Sequence, residues 1–568
     1  MNSKDRAKIL LLGEKPRAAA RIKTQTHSVQ VYASPSIHGR PLKTDDLEDF
    51  VDNPLRHIPK LDGEFLVVME TLDKIFVAND RFASKQLFYI VDGDKLVISL
   101  NYSSLWKWLS TNNRLKPDPL AFYEFLHFQR LFAETTFDMA SKALPPASLI
   151  TFNKSGKTIS IDSYWKPNFR KRPDHKKAIA GNLADAVKRS ITTKTSRMEN
   201  SSLLLSGGMD SRVVLGGFSK NNLPHCITIG RTLNNEVKVA RSLANLVGAK
   251  HSYVTRSDSH YSNILTKAVS VGGGMYSFHH GHFFDLDIPE TDLILHGHGF
   301  DYFFQGMYLP TTRRTLLGHP TRSYALDLIK SDLTGQYIKE AKYGLKGINS
   351  LTLLQNKNVD HATDRLRADL DSVLTTIADL TTDPYDRWDY LTTNAPGRHY
   401  TYLNLLSAES LTQQRTIAFT NDILDLYYST PTKVRYGTTL LAETIKNLNP
   451  RLLEIRNANT NLRPDLSPAR LTLESWKRSV RRRLGSESKH SADPSTEDRS
   501  WPSDADIVQT LFNKSTQLSK LHLSEALNSL DLFDESKIKS MTANASQGDQ
   551  NSAGALLSML TIEKFLSA

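Results

Sequence analysis

Between Phe65 and Ile161 the chain alternates short apolar runs with charged or glycine turns. Phe65-Leu66-Val67-Val68-Met69, Lys74-Ile75-Phe76-Val77-Ala78 and Leu96-Val97-Ile98-Ser99 are such runs, separated by Asp73 and by Asp92-Gly93-Asp94. This spacing predicts a meander of short strands. A further pair, Ser148 to Phe152 and Thr158 to Ile161, flanks a Ser155-Gly156 turn. From about residue 175 to 300 the rhythm changes. Apolar strands at 202–205, 225–229, 251–255 and 293–296 alternate with helical patterns, one marked by Val239, Ala240, Leu243, Ala244 and Val247. That alternation predicts an α/β, doubly wound parallel sheet. Beyond 310 the pattern is mainly helical. The window 485–500 is polar and contains Pro and Ser, as a loop or linker does, and short helices follow, ending at Leu556-Leu557-Ser558-Met559-Leu560. The reading divides the chain into an α+β region of β-sandwich type at 1–165, an α/β region with a helical C-terminal part at 175–480, and a polar loop with a helical extension at 481–568.

Composition adds limits. A chain of 568 residues is long enough for two to four domains and a large core. The single cysteine, Cys226, excludes a disulfide framework and fits a reducing compartment. There is no run of eighteen apolar residues and no signal-peptide pattern, so a cytoplasmic protein is expected. A net charge of +12 raises the question of nucleic acid, but the charge is spread out except at Lys477, Arg478, Arg481, Arg482 and Arg483. There Trp476, Val480 and Leu484 recur at helical spacing, the mark of a solvated helix face with an apolar stripe. No stable nucleic-acid or membrane partner is expected, and a homodimer is compatible with the sequence.

The chemistry concentrates in two stretches. Ser206-Gly207-Gly208-Met209-Asp210-Ser211 follows Leu203-Leu204-Leu205 and precedes Arg212-Val213-Val214-Leu215. A strand, a glycine turn and a helix start make an anion cradle, in which backbone N–H groups and hydroxyls face a phosphate. Asp210 adds a hard oxygen ligand suited to Mg²⁺. No Lys follows the glycines, so this is not the G-x-x-x-x-G-K-[ST] loop. A plain Gly-Gly turn with an Asp helix cap is the alternative. The second stretch, His296-Gly297-His298-Gly299-Phe300-Asp301, follows Leu293-Ile294-Leu295. It puts Asp301 at the carboxyl edge of another strand, where open parallel sheets bind ligands.

The hexapeptide resembles the S-G-G-x-D-S pyrophosphate loop of ATP pyrophosphatases, and the chain as a whole resembles the asparagine synthetase family. The resemblance rests on Ser206 to Ser211, on Ile227-Thr228-Ile229-Gly230 with Glu236, and on Gly297, Gly299, Asp301, Phe304 and Gly306. At the N-terminus, Leu61-Asp62-Gly63-Glu64-Phe65, Asn79-Asp80-Arg81-Phe82 with Leu87-Phe88-Tyr89, and Tyr164-Trp165 look like the family's glutaminase-type domain. Arg415 to Asp425 and Arg456 to Asn461 resemble drifted forms of later motifs. The resemblance implies a glutaminase-like domain followed by an ATP-pyrophosphatase domain. It also implies a ligase that uses ATP and Mg²⁺ to join a small-molecule or peptide carboxylate to ammonia or another amine through an acyl-adenylate. By position, Asp210 and Asp301 would bind the metal, and Ser206, Gly207, Gly208 and Ser211 the pyrophosphate. Leu205, Ile229 and Gly297 would line the nucleotide site together with Asp210.

The departures bear on substrate. Glutamine-dependent members expose an N-terminal Cys once Met1 is removed, whereas here position 2 is Asn2, so the first domain is expected to be inactive as a glutaminase. His298 stands where asparagine-forming members carry Glu, as a base of near-neutral pKa or as pocket wall. Arg398 and His399 are candidates for a positive charge missing from the late motif. His279, His280 and His282 lack acidic or Cys neighbours in sequence, which argues against zinc. A lactam- or macrolactam-forming cyclase, or an amidoligase tailoring a surface polymer, is the nearest alternative. An RNA-modifying enzyme and a non-catalytic scaffold stand further off.

Overall fold

The computed structural model describes residues 8–13, 18–316, 318–341, 345, 348–483, 500–514 and 518–568. Asn2 and all but the last residue of the polar window 485–500 lie outside the described residues.

The strands expected in the N-terminal region are present, but two sheets share them. Phe65–Thr71 and Lys74–Asn79 are antiparallel neighbours in a six-stranded sheet that also holds Ser148–Asn153 and Thr158–Ser163. Lys95–Ser99 instead pairs with Phe88–Asp92 in a second sheet of four strands, which corrects the expectation of one meander. The chain changes sheet at Asp80. Its buried carboxylate accepts from the backbone N–H groups of Phe65, Phe82 and Ser84 at 2.9, 2.8 and 3.1 Å, gathering residues 80–84 into a turn. Leu66, Ile75, Val77, Tyr89, Leu96 and Ile98 fill the space between the sheets. Val67, Met69 and Phe76 pack on the opposite face against Ile37, Leu47 and Phe50. Both faces of the central strands are therefore buried, which is why their apolar runs are nearly continuous. Lys8–Leu12 joins the second sheet as a strand parallel to Lys95–Ser99.

The four strands expected between 202 and 296 fall at Ser201–Leu204, His225–Gly230, His251–Thr255 and Leu293–His296. They form a parallel sheet with a fifth strand, Gln413–Thr416, in the order His251–Thr255, His225–Gly230, Ser201–Leu204, Leu293–His296, Gln413–Thr416. The fifth strand has no apolar residue among its four, so periodicity could not reveal it. Ser201–Leu204 and Leu293–His296 are direct neighbours, with Leu203 opposite Leu295. The two turns that follow them thus open on the same sheet edge.

After residue 310 the helical region is interrupted by an antiparallel ribbon, Thr311–Leu316 with His319–Leu326, a further departure from the sequence reading. Pro468–Arg483 is a helix, as the spacing of Trp476 and Val480 predicts. The C-terminal helices are not all short: Gln550–Leu566 runs for 17 residues. Ala553, Ala555, Leu556, Leu557, Met559, Leu560, Ile562 and Phe565 are buried on it, so it is apolar almost all round and sits inside the protein. Phe565 lies against Tyr102, Trp106, Phe122 and Phe137 of the N-terminal region, with ring centroids 5.0 to 6.4 Å apart. Among the described residues no helix is long and apolar enough to cross a membrane.

Candidate active site

The loop after Ser201–Leu204 is closed on itself by hydroxyls. Ser211 Oγ accepts from Ser206 N at 3.0 Å and lies 3.0 Å from Ser206 Oγ, which in turn accepts from Gly208 N at 3.2 Å. The helix Asp210–Gly217 begins directly behind it. Leu205 and Ile229 are buried beside the loop, and Leu205 N donates to the carbonyl of Ile227 at 2.9 Å. Gly207 faces the late segment: a Cβ there would lie 2.3 Å from Ala458 Cβ, and Ala458 N donates to the Gly207 carbonyl at 3.0 Å. Gly208 has only Ser206 Oγ within 4 Å of such a Cβ, so its outer side is open. Arg212, which the sequence reading passed over, fastens this arrangement. Fully buried, it donates to the carbonyls of Gly207 and Gly208 and to those of Leu452, Ile455 and Arg456, at 2.7 to 3.3 Å. Glu236 sits behind the loop, where burial raises its pKa against hydrogen bonds from Ser500 and from the Gly207 backbone.

The second turn meets the first at Gly297. A Cβ at this position would lie 2.4 Å from Ser211 N and 2.5 Å from the carbonyl carbon of Asp210, so only glycine lets the two strand ends approach. Gly299, at φ +98°, then starts the short helix Phe300–Phe304 that carries Asp301. Asp210 Oδ1 accepts from Gln305 Nε2 at 2.7 Å. Asp301 Oδ1 is buried and, among the described residues, has no hydrogen-bond donor. Burial, and then the Asp301 charge, push the Asp210 carboxyl well above its ordinary range, and burial raises Asp301 to about 6. Two carboxylates that resist joint ionisation, one with an idle oxygen, form a donor set suited to a divalent cation.

His298 lies on the other side of Asp301. Its ring centroid is 5.5 Å from Tyr302, 6.1 Å from His296 and 6.2 Å from Phe419. The residue is partly exposed, while Nε2 is enclosed without a partner among the described residues. Burial, helped by His296, lowers its pKa to about 3. The expected base of near-neutral pKa is thus a neutral imidazole. Arg398 departs further from expectation. It is buried, and its guanidinium donates to the carbonyls of Ala133 and Thr135, the second at 3.0 Å. A guanidinium engaged in that way ties two segments together and is not offered to a substrate. Its neighbour His399 stands 5.5 Å from Tyr302, ring to ring, on the side of the site. Cys226 is buried, with its thiol pushed up to about 12 by desolvation, which removes it as a nucleophile. Among the described residues no three His, Cys, Asp or Glu side chains are grouped so as to hold a metal ion.

Residues 182–407 match the family model described as asparagine synthase. Among curated proteins the sequence finds no match. Solved structures that match include the allosteric regulatory enzyme of purine biosynthesis, at 9% identity and a TM-score of 0.19, covering 42% of this chain and 63% of that one. Another is the glutamine phosphoribosylpyrophosphate amidotransferase from B. subtilis complexed with ADP and GMP, at 9% identity and a TM-score of 0.17, covering 41% and 62%. The chain thus spans less than two thirds of either neighbour. The match over 182–407 takes in both turns, the two carboxylates and His298, so this stretch of the chain is similar to the asparagine synthase family.

Proposed function

We propose that the protein is an ATP-dependent, AMP-forming amide ligase that activates a carboxylate as its acyl-adenylate and passes the acyl group to ammonia or another amine. The observation that carries this reading is the meeting of Asp210 and Asp301 across Gly297, beside a serine-lined loop at a helix N-terminus. The open side of Gly208 and the idle oxygen of Asp301 suit the triphosphate and its ion. When bound between Asp210 and Asp301, Mg²⁺ would supply positive charge to the phosphates.

Ser206, Gly207, Gly208 and Ser211 would hold the β and γ phosphates through N–H and O–H donors, with Leu205, Ile229 and Gly297 against the nucleoside. The substrate carboxylate attacks the α-phosphorus, the bond to the β-phosphate oxygen breaks, and pyrophosphate leaves. The amine then attacks the acyl carbon, AMP departs, and the amine gives up a proton. His298 Nε2 or Nδ1 is suited to accept a hydrogen bond from that amine and so orient it, because a neutral ring offers one lone pair. Held neutral so far below neutrality, it is a poor proton sink before the charge distribution of the adenylate is in place. The buried Cys226, its thiol pushed up to about 12, offers no nucleophile toward glutamine, which favours a free amine as the nitrogen source.

The test is the product balance with Mg·ATP, a panel of carboxylates beginning with aspartate, and ammonium. AMP and pyrophosphate in equal amounts are expected. Asp210→Asn and Asp301→Asn should each cut ATP–pyrophosphate exchange by on the order of 10³-fold or more while the fold is kept. ADP and phosphate as products, or full exchange in both variants, would overturn the assignment.

A further inference from the structure

A second cluster on the same sheet edge takes no part in this chemistry. Arg256 follows the strand His251–Thr255, and Arg256 N donates to the Gly230 carbonyl at 3.0 Å. The side chain is 1% exposed. Its Nη2 donates to the carbonyl of Ser500, and its guanidinium lies 4.6 Å from the ring centroid of Trp501 and 5.4 Å from that of Tyr261. Among the described residues neither Nε nor Nη1 meets an acceptor. An arginine stacked between two rings and left with unused donors is costly, since the orphaned N–H groups have lost water without replacement.

The cost has a remedy in the adjoining cavity. Arg256, Arg231, Tyr261, Gln509, Thr510 and Asn513 line a space of about 410 Å³. Arg231 lies near enough for its charge to oppose that of Arg256. Asp258 holds only Arg231 Nε, at 2.7 Å, and is itself 71% exposed. Asp506 also faces the cavity, with Ser503 N donating to its Oδ2 at 2.9 Å, so an anion must sit on the arginine side of the opening. Thr510 Oγ1 donates to the Asp506 carbonyl at 3.0 Å and Gln509 Nε2 to that of Ser546 at 2.6 Å. The two guanidinium groups are therefore the donor set for an oxyanion, which arginine forks meet with paired hydrogen bonds.

We propose that this cavity is an oxyanion-binding site, taking the carboxylate or phosphate group of a ligand on Arg256 and Arg231. The site is joined to the pyrophosphate loop through Ser500. Ser500 hydrogen-bonds Asn234 Nδ2 through its hydroxyl at 2.9 Å and Glu236 behind Gly207, while its carbonyl holds Arg256. An anion bound at Arg256 is therefore two side chains from the loop.

Binding of inorganic phosphate and of succinate to the full-length protein, followed by calorimetry, tests the proposal and separates the two ligand classes. Saturable binding of at least one anion is expected, weakened about tenfold or more in Arg256→Gln, by an order of magnitude typical of a lost charge-assisted pair. Arg231→Gln, at a half-exposed position that leaves the core intact, should weaken the same anion severalfold and keeps the test valid if Arg256→Gln does not fold. Tighter phosphate binding assigns a phosphorylated ligand, and tighter succinate a carboxylate. No saturable binding of either anion, or binding unchanged by Arg231→Gln and by any folded Arg256 variant, overturns the site.

Discussion

Gly297 shows what a single missing side chain does. The two strand ends touch only because no Cβ stands between Asp210 and Ser211 on one side and the second turn on the other. Gly297→Ala should push the turns apart, costing about 1–3 kcal/mol of stability through overpacking. The loss in ATP–pyrophosphate exchange should be larger, about 10²-fold, because positioning fails before folding does. Thermal melting beside exchange kinetics checks this, and equal small losses in both would contradict it. The motif residues were legible in sequence because each sits at a strand end with a glycine beside it. Arg398 was misread for the opposite reason: a charged residue in a late motif suggests a substrate contact, and only the carbonyls of Ala133 and Thr135 reveal a tie between segments. His298 was legible as a neighbour of the second turn, but its protonation state depends on burial that no sequence pattern reports.

Among the elements, the four central strands of the parallel sheet were legible from their apolar runs, and the fifth was not. Gln413–Thr416 owes its place to pairing with Leu293–His296 and to Glu64, whose Oε2 accepts from Thr416 N at 2.9 Å. The pyrophosphate loop likewise depends on something remote, the stretch Leu452 to Ala458, which Arg212 and Gly207 bind to it. Arg212→Met keeps the length of the side chain and removes every bond of the guanidinium, leaving only the backbone bond from Ala458 to Gly207. A loss of about 3 kcal/mol is expected, as for other broken buried networks. It should be accompanied by a raised KM for ATP, since the loop loses its backing. An unchanged KM with reduced stability would make Arg212 a fold residue only. The strand pair at Phe65–Asn79 and the strand Lys95–Ser99 were legible, but the partner Phe88–Asp92 and the assignment to separate sheets were not, because the latter is set by the turn gathered on Asp80.

The protein as a whole buries many neutral histidines, and this sets its response to acid. Desolvation lowers His260 and His296 to about 4 and also lowers His279, His280, His282 and His399. An unfolded histidine titrates near 6.5. Below that pH the unfolded chain therefore gains protons that the folded one refuses, so stability falls as pH drops from about 6.5 toward 4. Asp80, raised to about 6 by burial, works in the other direction over the same range, because the folded state binds its proton first. Asp301, raised to about 6, and Asp210, Glu124 and Glu236, also raised by burial, side with Asp80. His251 and His298, lowered to about 4 and about 3, join the histidines, which are the more numerous group and should win. Tm is expected to fall steadily between pH 7 and 5, and a flat or rising Tm over that interval would refute the balance. The central C-terminal helix has a different consequence. Gln129 Nε2 reaches Ser558 Oγ across 429 residues of chain, and Phe565 completes the aromatic cluster around Phe122 and Phe137. Closing so long a loop is entropically slow to achieve. In refolding from denaturant, the aromatic pocket should therefore stay open to dye binding until a late phase, and aggregation at high concentration should compete with that phase and with no earlier one.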